Sequence, residues 1–172
     1  MGTSVMIGTA AEKDTEQVLK LQYLCYQSEA ELYGDYTIEP LTQSLDALRA
    51  ELAAGRVLVA RLGDEIVGSV RGRVEADGSA AIGKLMVHPR LRRHGLGGRL
   101  LTAMEELLAE ESATERFRLS TGHRSEGNLR LYRRLGYAAV ETEEVTRRLS
   151  LVTLEKRRPA ATVPVAELAA AG

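Results

Sequence analysis

One cysteine, four prolines, one phenylalanine and no tryptophan stand among the 172 residues, and each scarcity removes a class of protein. A single thiol, Cys25, cannot close an internal disulfide, and no Cys/His spacing of the zinc-site kind occurs. Charge of one sign is lacking too. Lys plus Arg number 23 against 24 Asp plus Glu, a formal net charge of −1, which argues against a surface given over to nucleic acid or anionic lipid. No apolar run approaches the ~20 residues that span a bilayer. The segment MGTSVMIGTA has neither a basic n-region nor a long apolar h-region, and Met6 breaks the myristoylation pattern. The expectation is a cytoplasmic protein with no membrane partner.

What is present suits one compact domain. Apolar residues make up 44 % and charged residues 27 %, an ordinary globular balance, and the length supports a core without metal or disulfide staples. Neutrality hides a polarisation along the chain. Residues 1–55 carry nine acids (Glu12, Asp14, Glu16, Glu29, Glu31, Asp35, Glu39, Asp46 and Glu51) against three bases. Between Asp77 and Glu105 there is no acid, yet Lys84, Arg90, Arg92, Arg93 and Arg99 occur. Two surfaces with different ligands would produce this pattern, and so would solvated faces of chance composition.

Periodicity predicts alternating strands and helices. Residues 5–9 read as a strand. Asp14 or Thr15 caps a helix with Val18, Leu21 and Cys25 on its apolar face, and Leu32 follows after an interruption. Pro40 punctuates the chain, and Leu45, Leu48 and Leu52 mark a helix stopping at Gly55. Strands over 57–62, 66–75 and 80–87 are joined by turns at Gly63-Asp64-Glu65 and Asp77-Gly78. Leu96, Leu100, Leu101, Met104, Leu107 and Leu108 form one stripe of a long helix. A strand over 116–121, a short helix from Ser125 to Gly136 and a hairpin over 137–143 and 148–155 complete the pattern. The fold class is α+β: a single domain over 1–155 with a mixed, mostly antiparallel sheet flanked by helices. Residues 156–172, rich in Ala and Pro, read as a mobile tail.

The segment Leu85-Met86-Val87-His88-Pro89-Arg90-Leu91-Arg92-Arg93-His94-Gly95-Leu96-Gly97-Gly98 carries the most chemistry. A strand ends at a proline, a basic stretch follows, and glycines open an amphipathic helix. A helix N-terminus exposes unpaired N–H groups and the positive end of the macrodipole. Bare glycine backbone lets a pyrophosphate approach, so an anion site is expected here. Two familiar phosphate motifs fail. A dinucleotide fingerprint starting at Gly95 would need glycine where Leu100 stands, and the P-loop imitation Gly78…Gly83-Lys84 continues into Leu85 rather than Ser or Thr.

Arg92-x-x-Gly95-x-Gly97 after a strand ending in Val-His-Pro resembles the pyrophosphate loop of the GCN5-related N-acetyltransferase (GNAT) family. About 30 residues on, Thr121-Gly122-His123-Arg124-Ser125-Glu126-Gly127-Asn128 and Tyr132…Leu135-Gly136-Tyr137 look like the family's second cofactor motif. Asn128 and Tyr132 are four apart and share a helix face. The resemblance covers Val5 to Glu155 and is nearest to bacterial members with an Ile-Gly-Lys-Leu fourth strand.

It implies an acetyl-coenzyme A-dependent acyltransferase in which a neutral amine attacks the thioester directly within a ternary complex. The cofactor would lie along Leu85, Met86 and Val87, with its pyrophosphate on Arg92, Arg93, His94, Gly95, Leu96, Gly97 and Gly98 and further contacts to Asn128 and Tyr132. Positioning and backbone N–H groups would supply most of the catalysis. Tyr132 is the candidate general acid for the departing thiolate. The base is either His123 or water relayed to solvent, because the fourth strand offers Lys84 where many relatives carry Glu. Tyr26, Glu29, Tyr33, Arg73, Lys84 and Thr121 are the candidate acceptor contacts. Nearby Glu29, Glu31 and Asp35 favour a cationic amine such as a polyamine or aminoglycoside, and Lys84, Arg71 and Arg73 favour a carboxylate-bearing acceptor such as an amino acid. A small-molecule amine is the expected partner, with no metal and no nucleic acid, and homodimers are common in the family. The alternatives are a non-catalytic coenzyme A-binding module and acetylation of protein or peptide amines.

Overall fold

The computed structural model describes residues 4–158. Seven strands form one sheet in the order β1-β2-β3-β4-β5-β7-β6: β1 Val5–Thr9, β2 Arg56–Leu62, β3 Glu65–Val74, β4 Ala80–Val87, β5 Arg116–Gly122, β6 Ala138–Glu144 and β7 Ser150–Arg157. Every neighbouring pair is antiparallel except β4 and β5. The expected α+β architecture is therefore the observed one. The last strand runs two residues past the expected limit at Glu155, and residues 159–172 of the expected tail lie outside the described residues.

Six helices cover the sheet: α1 Thr15–Cys25, α2 Gln27–Tyr33, α3 Glu39–Thr42, α4 Leu45–Ala54, α5 Leu96–Ser112 and α6 Glu126–Arg134. On one face α5 and α6 bury Leu100, Leu101, Met104, Leu108, Leu129 and Tyr132. The long helix lies close because β3 carries glycine beneath it. A Cβ at Gly68 would stand 2.9 Å from Leu100 Cδ1, and one at Gly72 would stand 2.7 Å from Met104 Sδ. On the other face α1 and α4 bury Val18, Leu21, Cys25 and Leu48 against Val59, Ile66 and Met86. Ser44 caps α4 by accepting from the Ala47 N–H at 3.1 Å. Pro40, expected only as punctuation, sits in the first turn of the one-turn helix α3, where its missing N–H costs nothing.

Two features of the sheet create the cleft. Strands β4 and β5 pair only at Ala80↔Phe117 and Ala81↔Arg118. Beyond those residues β5 continues its pairing with β7 through Gly122, and β4 continues with β3 through Val87. The sheet therefore opens into a V. Within β4 the register with β3 slips between Ser69↔Met86 and Arg71↔Gly83, so Lys84 and Leu85 together oppose Val70. Lys84 takes φ +46°, a left-handed conformation unusual for a side-chain-bearing residue, and a bulge there kinks the strand as it leaves β5.

Candidate active site

Two cavities meet where the strands part. The larger, about 620 Å³, runs from the β4 edge (Leu85, Met86 and Val87) past Arg92 and Arg93 to Gly95–Gly98, with Asn128 on its opposite wall. The smaller, about 190 Å³, lies between Lys84 and Leu85 of β4 and Leu119–Gly122 of β5, beneath Tyr26 and Tyr33. Asn128, Tyr26, Glu29 and Leu85 line both. A third space of about 850 Å³ forms an open trough on the α4 side and joins the small cavity along Ile82–Lys84, Leu119 and Ser120.

The glycine loop is built as an anion cradle. Gly95 holds φ +77° at the N-cap of α5, and a glycine cannot cap with a side chain, so the first N–H groups of this 17-residue helix stay unengaged by one. Arg93 also takes a left-handed φ of +70°, which turns the backbone through the loop. A Cβ at Gly95 would meet open space, so its role is conformational. A Cβ at Gly97 would come within 3.3 Å of Leu131, so there close packing of α6 also demands glycine. The donor set of successive N–H groups, a helix N-terminus and two arginines fits a pyrophosphate. The β4 edge beside it has no strand partner beyond Ala81, which leaves backbone groups free for an extended, amide-bearing arm.

At the junction, Tyr132 is buried and lines the small cavity; its ring meets Tyr137 edge-on at 6.2 Å. Burial, reinforced by the negative charge of Glu29, pushes the Tyr132 phenol up to about 12, so the hydroxyl is a hydrogen-bond donor throughout the physiological range. Burial likewise raises the Tyr26 phenol above its ordinary range. Asn128 donates to Thr121 Oγ1 at 3.2 Å, tying α6 to the end of β5. Cys25 lines the cofactor-side cavity, where its thiol donates to the Val87 carbonyl at 3.4 Å and burial pushes it up to about 11. A thiol so placed is a packing residue rather than a nucleophile.

A hydrogen-bonded chain that sequence reasoning missed crosses the same junction. The Arg124 N–H donates to Tyr33 Oη at 3.0 Å, Tyr33 Oη lies 2.8 Å from Ser125 Oγ, and Ser125 Oγ donates to Glu29 Oε2 at 2.9 Å. Because the Ser125 proton goes to Glu29, Tyr33 supplies the proton between the two hydroxyls. Gly122 makes room for it: a Cβ there would overlap the Tyr33 hydroxyl. Ser125 precedes α6 at its N-cap, yet its side chain makes no capping bond, so the expected cap is spent on Glu29 instead.

The other expected residues fall into two groups. Leu85, Met86, Val87, Arg92, Arg93, Gly95, Leu96, Gly97, Gly98, Asn128 and Tyr132, with Tyr26, Glu29, Tyr33, Lys84 and Thr121, all line one or both cleft cavities. Arg73, His94 and His123 do not. Arg73 is exposed in the open trough, where it pairs with Glu75 at 3.2 Å. His94 is exposed on the loop's outer side. His123 is exposed, and its Nδ1 lies 2.9 Å from the Ser150 N–H and 3.2 Å from the Ser150 carbonyl, which ties the ring to the start of β7 outside both cleft cavities. Lys84 reaches the cleft wall but is engaged by Glu39 at 2.6 Å and by Gln43 at 3.4 Å. Among the described residues, no group of three or more His, Cys, Asp or Glu is placed to hold a metal, and no helix is long and apolar enough to cross a membrane.

No curated protein matches the sequence significantly. Solved structures share the fold at low identity. PaiA N-acetyltransferase from Thermoplasma acidophilum, in complex with coenzyme A, superposes with a TM-score of 0.76 at 17 % identity, covering 90 % of this chain and 99 % of that one. The ribosomal-protein-S18-alanine N-acetyltransferase from Escherichia coli gives 0.75 at 13 % identity over 94 % and 99 %. YncA from Salmonella typhimurium, solved with its cofactor acetyl-CoA, gives 0.74 at 16 % identity over 95 % and 99 %. The model of the acetyltransferase (GNAT) family matches residues 16–137, a span that contains the glycine loop, the parting strands and Tyr132. The chain belongs to the acetyltransferase (GNAT) family.

Proposed function

We propose that this acyltransferase moves the acetyl group of acetyl-coenzyme A to the amine of a small molecule by direct attack in a ternary complex. One observation carries the reading: β4 parts from β5 after a two-residue contact, and the opening joins a glycine-loop anion cradle to a small pocket holding Tyr132. Acetyl-coenzyme A would supply an activated acyl carbonyl and a good leaving group. The N–H groups of Arg93–Gly98 and the Arg92 guanidinium hold its pyrophosphate, and the unpaired edge of Leu85–Val87 aligns its amide-bearing arm. The same β4 edge would offer backbone donors to the acyl carbonyl. Tyr132 gives a hydrogen bond to the departing sulfur. Cys25 offers no route through an acetylated chain, because its thiol is pushed up to about 11 and committed to Val87.

The size of the junction cavity, about 190 Å³, favours a small acceptor over a folded protein surface. Calorimetry with acetyl-coenzyme A, followed by an amine panel monitored for free thiol, tests the reading. One cofactor per chain and thiol release with at least one small amine are expected. Binding without release from any amine would make the chain a coenzyme A-binding module, and release only with peptide termini or lysyl peptides would overturn the small-molecule acceptor.

A further inference from the structure

On the acceptor side of the cleft, Lys84, Arg71 and Arg73 each have a carboxylate partner. Lys84 is held by Glu39 at 2.6 Å. Arg71, buried beneath the acceptor side, meets Glu51 at 3.1 Å and Gln43 at 3.4 Å and also bonds Gln22. Arg73 pairs with Glu75 in the trough. The bases that would have favoured an acidic acceptor are thus neutralised within the protein. Glu29 is the opposite case. It lines both cavities, its charge reaches the Tyr132 and Tyr26 phenols, and among the described residues it forms no ion pair.

Its orientation is nonetheless fixed. Oε2 accepts from Ser125, which is itself held by Tyr33 and, through Tyr33, by the Arg124 backbone. Ser125 and Tyr33 are 5 % and 4 % exposed. Ser125 makes no capping bond to α6, and its proton goes to Glu29. A carboxylate held by a neutral hydroxyl rather than by a cation, partly buried beside an apolar pocket, favours a cation as its ligand.

We infer that Glu29 anchors a positively charged group of the acceptor, so that the cleft selects cationic amines, diamines in particular, over amino acids. The inference rests on the acetyl-transfer reading and adds the class of acceptor and the residue that selects it. Glu29 acts by binding, with the Ser125–Tyr33–Arg124 chain as its positioning support.

The test compares putrescine, butylamine and γ-aminobutyrate, which present a cationic, a neutral and an anionic second group on similar chains. In the native enzyme, kcat/KM falls in that order. Glu29→Gln keeps an acceptor oxygen for Ser125 and removes the charge. It raises KM for putrescine relative to butylamine roughly 10- to 100-fold and lowers KM for γ-aminobutyrate relative to butylamine, ratios from which any common effect of the lost charge on Tyr132 or on the cofactor cavity cancels. Glu29→Asp restores part of the putrescine preference, which a merely structural role would not do. A native preference for γ-aminobutyrate, or an unchanged putrescine-to-butylamine KM ratio in Glu29→Gln, overturns this inference alone. Bound acetyl-coenzyme A with no thiol release from these three or from the wider amine panel removes the acetyl-transfer reading and this inference with it.

Discussion

Replacing Tyr132 with phenylalanine removes one oxygen from the wall of the junction cavity and leaves the ring's packing on Tyr137 in place. The size of the effect follows from the environment of that oxygen. With the phenol pushed up to about 12 and a free thiol near 8.5, complete proton transfer to a thiolate is uphill by about 5 kcal/mol. In the proposed transfer Tyr132 therefore serves the transition state as a hydrogen-bond donor to charge growing on sulfur, and the proton itself is exchanged after the bond has broken. A hydrogen bond to a charged partner is worth about 1.5–3 kcal/mol, so kcat should fall roughly 10- to 100-fold. The phenol also keeps its proton over the working range, so the alkaline side of the pH–rate profile should be the same in both proteins. Steady-state thiol release from pH 6 to about pH 10, with calorimetry of acetyl-coenzyme A, provides the assay. Unchanged turnover across that range would remove Tyr132 from the chemistry. An alkaline limb present in the native enzyme and absent from Tyr132→Phe would show that the phenol ionises at ordinary pH and that its burial has been misjudged.

Three further outcomes are expected. Gly122→Ala places a Cβ on the Tyr33 hydroxyl and so dismantles the chain that orients Glu29; acceptor KM should rise while acetyl-coenzyme A affinity holds, and a native KM would show that the chain is dispensable. Asp14 is buried, accepts the Ala11 N–H at 2.7 Å and pairs with Arg61; the Arg61 hydrogen bond outweighs burial and holds its carboxyl below the usual range. A lowered folded pKa means stability present above about pH 4 and lost as pH falls through the folded value, so Asp14→Asn should cost roughly 1–3 kcal/mol at pH 7 in urea unfolding and progressively less as pH is lowered below about 4; a deficit that stays constant on acidification would refute the linkage. Glu105 is buried between Tyr137 Oη at 2.7 Å and Lys156 Nζ at 3.0 Å, joining α5 to β7. Glu105→Leu leaves Lys156 without its partner and should lower stability by about 3 kcal/mol, while a loss below about 0.5 kcal/mol would mark the pair as solvent-screened.

Much of the fold could be read in advance because its signals are local. The stripe from Leu96 to Leu108 reports a helix that needs no knowledge of its partners, and the turns at Gly63 and Asp77-Gly78 fix the β2–β3–β4 meander within a few residues. The glycine loop was legible for the same reason, since the strand end, the basic stretch and the helix start are contiguous. What escaped depends on distant partners. The bulge at Lys84 is a matter of register against β3, and nothing in Ile-Gly-Lys-Leu itself shows that two residues will oppose Val70. Ser125 looks like a helix cap until Glu29, 96 residues earlier, takes its hydroxyl. His123 has the side chain of a proton carrier, but Ser150, 27 residues on, ties its Nδ1 to the start of β7, outside the cleft cavities. Arg73 alternates correctly with Arg71 along β3 and both line the trough, but Arg71 is buried against Gln22, Gln43 and Glu51 while Arg73 is exposed and pairs with Glu75, and those partners are distant in sequence from Arg71.

The central claim is that acetyl passes directly from donor to amine across the gap between β4 and β5. Initial rates of thiol release, with acetyl-coenzyme A and the best small amine varied together, test it most directly. Direct transfer predicts double-reciprocal lines that intersect, and no acetylated chain after incubation with acetyl-coenzyme A alone. Parallel lines, with acetyl found on Cys25 or any other side chain, would contradict it.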